Sequence, residues 1–142
     1  MKENKVVFTN GLFDAARSQI GRLPDGVVLK IEGGFELLIP DKVIVEEMVH
    51  LVFLAEKNTA DLGEAVFPVK IRAGISTRLN VVLHKTGAFN FGPKNITVEI
   101  FLSENACVDY TQIEEAGVKG HFSTVNKFHL KIYQWVHIVK RF

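Results

Sequence analysis

The stretch Ala65-Val-Phe-Pro-Val-Lys-Ile-Arg72 decides how the chain is read. Ala65, Phe67, Val69 and Ile71 fall on one side of an extended backbone, and Glu64, Pro68, Lys70 and Arg72 on the other. That period-two alternation is the signature of a half-buried β-strand. Pro68 donates no hydrogen bond, so this strand is expected at a sheet edge.

Outward from it the same pattern recurs at Lys5 to Thr9, Gly26 to Glu32, Phe35 to Ile39, Met48 to Glu56, Leu79 to His84, Ile96 to Leu102, Val118 to Thr124 and Lys127 to Val139. Turn-forming groups separate these segments: Pro24-Asp-Gly26, Gly33-Gly34, Asn58 to Gly63, Lys85-Thr-Gly87 and Gly92-Pro-Lys-Asn95. Short, regular spacing points to antiparallel pairing, because parallel neighbours need a crossover of about a dozen residues or more. The expected fold is therefore all-β: an antiparallel β-sandwich of about eight or nine strands in one domain over residues 1–142.

At most one or two short helices are expected. Asp14 to Gln19 suits a turn and a half capped by Asp14, and Thr111-Gln-Ile-Glu114 has capping-box spacing with Gly117 as a stop. Between Val43 and Glu56 the residues Ile44, Met48, Leu51, Val52 and Ala55 also fit a helical stripe, but the β-branched content favours strand. No internal repeat, low-complexity tract or linker is visible.

Composition fits a globular protein, with 47% hydrophobic and 23% charged residues. A formal charge of +1 supplies no field to gather nucleic acid or acidic lipid, so neither is an expected partner. Cys107 is the only cysteine, which rules out an intrachain disulfide and reads as a buried, inert thiol. The first ten residues lack the apolar run of about 7 to 15 that a signal peptide needs. The most apolar window, Val43 to Ala55, is broken by Glu46, Glu47 and His50, and is shorter than the roughly 20 residues of a membrane span. A soluble, cytoplasmic protein is expected. Asn95-Ile-Thr97 matches a glycosylation sequon, to which no weight attaches without an export signal.

Several features between Val6 and Ile71 follow a familiar order: an opening strand then Asn10-Gly-Leu-Phe13, a Val-Val-Leu-Lys-Ile stretch, Leu37-Leu-Ile-Pro40, and a long hairpin with Leu62-Gly-Glu64 before its second strand. In this the chain resembles a family of small, uncharacterised bacterial β-rich proteins. The resemblance covers about half the chain and implies a β-sandwich without an assigned activity.

The candidate binding face lies on the C-terminal segment from Lys127 to Phe142. Read as one strand, it puts Phe128, Leu130, Ile132, Val136 and Ile138 inward, and His129, Lys131, Tyr133, Trp135, His137 and Arg141 together on the other side. A cationic, aromatic row could meet another subunit or stack a sugar or nucleotide on Trp135 and Tyr133. Phe89 and Phe91 in Gly87 to Pro93 are a candidate loop patch, if they are not tucked under the sandwich.

Chemistry-bearing motifs are missing. Histidines stand at 50, 84, 121, 129 and 137, without His-x-His or His-Glu-x-x-His spacing, and His129 and His137 would lie about 26 Å apart on one strand. No metal site and no cofactor are expected. Gly-x-Ser-x-Gly is absent around Ser18, Ser76, Ser103 and Ser123, and Glu46-Glu47 and Glu114-Glu115 would face opposite ways on a strand. Neither glycine pair matches a phosphate-binding loop, and Asp61 with Glu64 offers too few oxygens for calcium. The leading expectation is a non-catalytic assembly module that joins a protein partner, most simply its own copy, through a sheet edge or the C-terminal strand. The alternative is a small-ligand sandwich using the Trp135 face.

Overall fold

Alternation of apolar residues along the chain produces strands that cover one another's inner faces. The structure, a computed structural model, describes residues 4–9, 12–55, 66–87, 95–114, 123–129 and 135–141. Among these residues the chain forms strands in two sheets and no α-helix. The first sheet holds β1 (Asn4–Thr9), β2 (Leu12–Phe13), β5 (Val49–Ala55), β7 (Arg78–Gly87), β9 (Cys107–Glu114) and β11 (Trp135–Arg141), in the order β11-β9-β7-β5-β1-β2. The second holds β3 (Val28–Lys30), β4 (Phe35–Ile39), β6 (Val66–Ala73), β8 (Asn95–Leu102) and β10 (Ser123–His129), in the order β10-β8-β6-β4-β3.

The antiparallel expectation does not hold. From β4 onward the chain changes sheet at every strand, and strands β4, β6, β8 and β10 run parallel, as do β1, β5, β7, β9 and β11. Among the described strands only β1 with β2 and β3 with β4 are antiparallel, and an isolated antiparallel bridge joins Lys5 to Gln19. Parallel neighbours do need a long crossover, but here the crossover is a strand of the opposite sheet. The chain leaves β5 at Ala55, runs the whole of β6, and only then enters β7 at Arg78. The result is a two-sheet solenoid, each turn of the coil adding one strand to each sheet.

A backbone repeat of about 30 residues is therefore present where none was expected. Val49 pairs with Val81, Val81 with Tyr110, and Tyr110 with Ile138, while Phe35 pairs with Val69, Val69 with Val98, and Val98 with Asn126. The corners repeat as well. Lys42, Ser76 and Asn105 occupy corresponding places in three successive corners, and all three have positive φ, at 65°, 53° and 59°. One left-handed residue turns the chain from one sheet toward the other each time.

The corners are stacked on one another. Gly74 N–H donates to Ile39 O at 2.9 Å, Lys42 N–H to Ile75 O at 2.7 Å, Ser103 N–H to Ala73 O at 2.9 Å and Ser76 N–H to Glu104 O at 2.9 Å. Asp41 Oδ1 accepts from Ile75 N–H at 2.7 Å. A Cβ added at Gly74 would lie 2.6 Å from Asp41 Oδ1, 2.8 Å from Asp41 N and 2.9 Å from Ile39 O, so this corner has room only for glycine.

Between the sheets the buried side chains line up along the stack. Phe35, Val69 and Val98 form one inward row of the second sheet, Leu37, Ile71 and Ile100 another, and Ile39, Ala73 and Leu102 a third. Opposite them in the first sheet run Val49, Val81 and Tyr110, then Val6, Leu51 and Leu83. In the next row along the strands Phe8 and Phe53 stack at 5.3 Å, and both meet Phe67 of the second sheet edge-on at 4.6 and 5.2 Å. Both sheets, mostly parallel, share this core.

Other local expectations are corrected here. The strand with Pro68 is not at an edge, because β6 lies between β4 and β8. Pro68 precedes the first pair with β4, Phe35 with Val69, and Gly34 packs on its ring and carbonyl, where a Cβ would come within 2.7 Å of Cγ. Thr111 to Glu114 is part of β9 and not a helix start. Asp14 to Gln19 makes a single turn, with Arg17 N–H donating to Asp14 Oδ1 at 3.2 Å. Of the segment Val43 to Glu56 read as strand, Val49 to Ala55 is strand, Val43 to Met48 is not beyond a single bridge from Ile44 to Arg78, and Glu56 lies outside the described residues. The segment Lys127 to Val139 is divided between β10 in the second sheet and β11 in the first. Among the described residues no helix is long and apolar enough to cross a membrane.

Candidate functional site

The two ends of the strand stack differ. At one end the sheets finish in β2 and β3, two and three residues long, each folded back antiparallel on its neighbour. At the other they finish in β10 and β11, seven residues each. Among the described residues, β10 pairs only with β8 and β11 only with β9. A strand partnered on one side turns a row of N–H and C=O groups outward, and seven residues present about 23 Å of such an edge. Because β10 and β11 belong to the same coil, both edges lie at the same end of the molecule.

This placement breaks up the row inferred from the sequence. His129 ends β10 in the second sheet, whereas Trp135, His137 and Arg141 lie in β11, paired with Cys107, Asp109 and Ile113. Lys131 and Tyr133, like the loop residues Phe89 and Phe91, lie outside the described residues. What the backbone retains from the expected face is Trp135, His137 and Arg141 at alternate register positions of an edge strand.

Toward this end the interior of the first sheet becomes polar. Lys85, 1% exposed, occupies the row that holds Phe8 and Phe53 on the neighbouring strands, and its register partner on β9 is Glu114. Gln112 is buried beside it in the sheet, and Tyr110 Oη donates to Gln112 Oε1 at 3.4 Å. Burial holds the Tyr110 hydroxyl far above its ordinary range, so it stays protonated in the folded protein. A polar row inside a sandwich is costly unless its members are matched, which fixes the register of β7 against β9.

Folding also creates a pairing that spacing did not show. On the outer side of the first sheet, His50 is opposite Val82 and His84 opposite Val52, so the two histidines are diagonal neighbours. They line a shallow groove of about 610 Å³ with Lys5, Arg17 and the apolar Val7 and Val52. Its edge is held by the turn after β2: Thr9 Oγ1 donates to Asp14 Oδ2 at 2.8 Å, and Arg17 Nε lies 3.7 Å from the same oxygen. The Thr9 hydroxyl, more than the Arg17 backbone N–H and charge, keeps the Asp14 carboxyl below its usual value. Among the described residues no group of three histidine, cysteine or acidic side chains is placed to hold a metal ion.

Cys107, expected to be buried, is half-exposed on β9. Partial burial, with the Asp109 charge adding to it, raises its thiol above the ordinary value despite Arg78. It therefore lacks the thiolate character of a nucleophile. No protein-family model, curated protein or solved structure matches the chain.

Proposed function

We propose that the chain is a non-catalytic assembly module that adds strands from a partner to the β10–β11 end, most simply from a second copy of itself. The observation that carries this reading is the contrast between the ends: one is closed by short antiparallel strands, the other finishes in two seven-residue edges. Exposed edges of that length are paired, covered or charged in stable proteins.

A two-fold axis normal to the sheets satisfies both edges at once. It places β11 against β11 and β10 against β10 of the second copy, each pair antiparallel, and closes the assembly at two chains. Stacking this end on the β2–β3 end would instead engage strands too short to match it, and would make an open filament. Residues 123–142 contain Lys127, Lys131, Lys140 and Arg141 and no acidic residue, so two copies meeting here repel. Salt screens that repulsion, and self-association is expected to strengthen as ionic strength rises.

Light scattering at low micromolar concentration tests the proposal, with a salt-promoted dimer as the expected result. Adjacent residues of a parallel ladder direct their N–H groups to opposite sides, so Ile138→Pro and Val139→Pro have different consequences. One loses a bond to β9 and melts earlier, whereas the other loses an outward donor, keeps its melting midpoint and becomes monomeric. A native chain that stays monomeric at all salt concentrations would sink the self-association version.

A further inference from the structure

At the start of β1 the chain buries a polar side chain that it does not fully satisfy. Asn4 is 3% exposed, and its Oδ1 accepts from Gly21 N–H at 2.7 Å. That bond settles which end of the amide is oxygen, because only oxygen can accept from a backbone N–H. The Nδ2 group is thus a fixed donor, and it is buried without a hydrogen-bond partner. Glu47 supplies the complement, since its Oε2 is a buried acceptor also without a hydrogen-bond partner. Both side chains border Gly21, whose added Cβ would lie 3.4 Å from Asn4 Oδ1 and 3.6 Å from Glu47 Oε2.

Asn4 and Glu47, the side chains that carry the two orphan atoms, both line one cleft of about 250 Å³, with the atoms themselves just beneath its surface. A water takes up about 30 Å³, so the space exceeds what one bridging water needs. Its walls differ in character. Asn4 and the guanidinium of Arg22 provide donors, Glu46 and Glu47 provide carboxylates, and Leu23 and Ile44 add apolar surface. Among the described residues Arg22 forms no ion pair with either acid. The cleft therefore holds separated charges of both signs with an unsatisfied donor and an unsatisfied acceptor beside them. Leaving such groups unmatched is costly, and a ligand of matching polarity would recover that cost.

We propose that this cleft is a binding site for a small zwitterion, a free α-amino acid with an apolar side chain. Its carboxylate accepts from Asn4 Nδ2 and pairs with Arg22. Its ammonium donates to Glu47 Oε2 and is drawn by Glu46. Its side chain lies on Leu23 and Ile44. A plain anion would face Glu47, and a plain cation would face Asn4 Nδ2 and Arg22, so neither satisfies both orphan atoms. Gly21 lies behind both polar side chains and holds Asn4 Oδ1 through its N–H, which leaves Asn4 Nδ2 as the free end of the amide.

Calorimetric titration of the full chain with L-alanine, L-valine and L-leucine tests the assignment, together with N-acetyl-leucine and leucinamide, which each lack one charge. Binding of the free amino acids is expected, weakened at least about tenfold when either charge is blocked. Glu47→Gln retains the shape and is expected to weaken binding by a similar factor, and Arg22→Gln to weaken it less. Perturbation of the Gly21 amide resonance on titration locates the site. Absence of binding by all three amino acids, with a bridging water only between Asn4 and Glu47, overturns the proposal. So does binding that ignores both the blocked ligands and Glu47→Gln.

Discussion

Replacing Gly74 by alanine tests the stacked corners, and with them the parallel coil. Gly74 does not have positive φ, so alanine is not excluded by backbone conformation, and the whole effect comes from what the new methyl meets. It would sit 2.8 Å from Asp41 N and 2.9 Å from Ile39 O, backbone atoms of the preceding corner, and 2.6 Å from the Asp41 carboxylate that holds Ile75 N–H. The corners must separate to admit it. Overpacking of this kind costs about 1–3 kcal/mol, and weakening the bonds Gly74 N–H to Ile39 O and Ile75 N–H to Asp41 Oδ1 adds about 1 kcal/mol. A total of about 2–4 kcal/mol corresponds to a fall of roughly 6–16 °C in melting midpoint for a chain of this size. Differential scanning calorimetry or urea titration followed by circular dichroism measures it. Asp41→Gly in the same chain removes the nearest oxygen but not the two backbone contacts, so the double variant recovers only part of the loss. In a sandwich of antiparallel hairpins Gly74 and Asp41 would have no reason to touch. A Gly74→Ala protein as stable as the native one would refute the stacking and the coil built on it.

Phe53→Ala empties the centre of the three-ring cluster and is expected to cost about 3–5 kcal/mol, read from the same urea titration. At Ser76, where φ is 53°, asparagine tolerates the left-handed conformation better than serine, so Ser76→Asn is expected to gain a few tenths to about 1 kcal/mol and Asn105→Ser to lose a similar amount. For Tyr110 the raised folded-state value means that the folded form holds its proton where the unfolded form releases it. Its contribution is intact below pH 10.0 and is lost as pH rises beyond that point. Ultraviolet absorbance of tyrosinate should show Tyr110 ionising only as the chain unfolds, and early ionisation in a folded protein would contradict its burial.

Alternation located most of the strands, because it depends only on which residues face the core. Phe35 to Ile39 has the bounds read from the sequence, and β1, β5, β6, β7 and β8 differ from theirs by few residues. Pairing was not legible, since alternation is a property of one strand and says nothing about its neighbour. The direction of each neighbour is set at the corners, and the left-handed residue that turns each corner is a lysine, a serine and an asparagine in turn. Of these only asparagine has an intrinsic lean toward that conformation. The repeat was hidden for a related reason. Val69 and Val98, or Ile71 and Ile100, are identical across one register step, but Lys70 faces Glu99 and Arg72 faces Phe101. Arg72 lies over the Phe101 ring at 4.4 Å, a contact between unlike residues that no search for self-similarity would align. β9 was obscured because Gln112 interrupts the inward row of Val108 and Tyr110 with a polar side chain. Nor could spacing reveal the cleft at Asn4: its donor, the backbone group that orients that donor and its acceptor come from β1, from Gly21 and from Glu47, and no motif links them.

Distance along the chain between paired strands bears on how the molecule is made. Among the described residues local hairpins exist only at β1–β2 and β3–β4, so early in synthesis these residues can order that end alone. Every later rung waits until about thirty further residues have emerged, and each nascent coil has a finished surface on which to wrap. Assembly of this kind is directional and slow. A defect in an early coil should therefore stall everything downstream of it, whereas the same defect in the last coil would leave the earlier coils able to form.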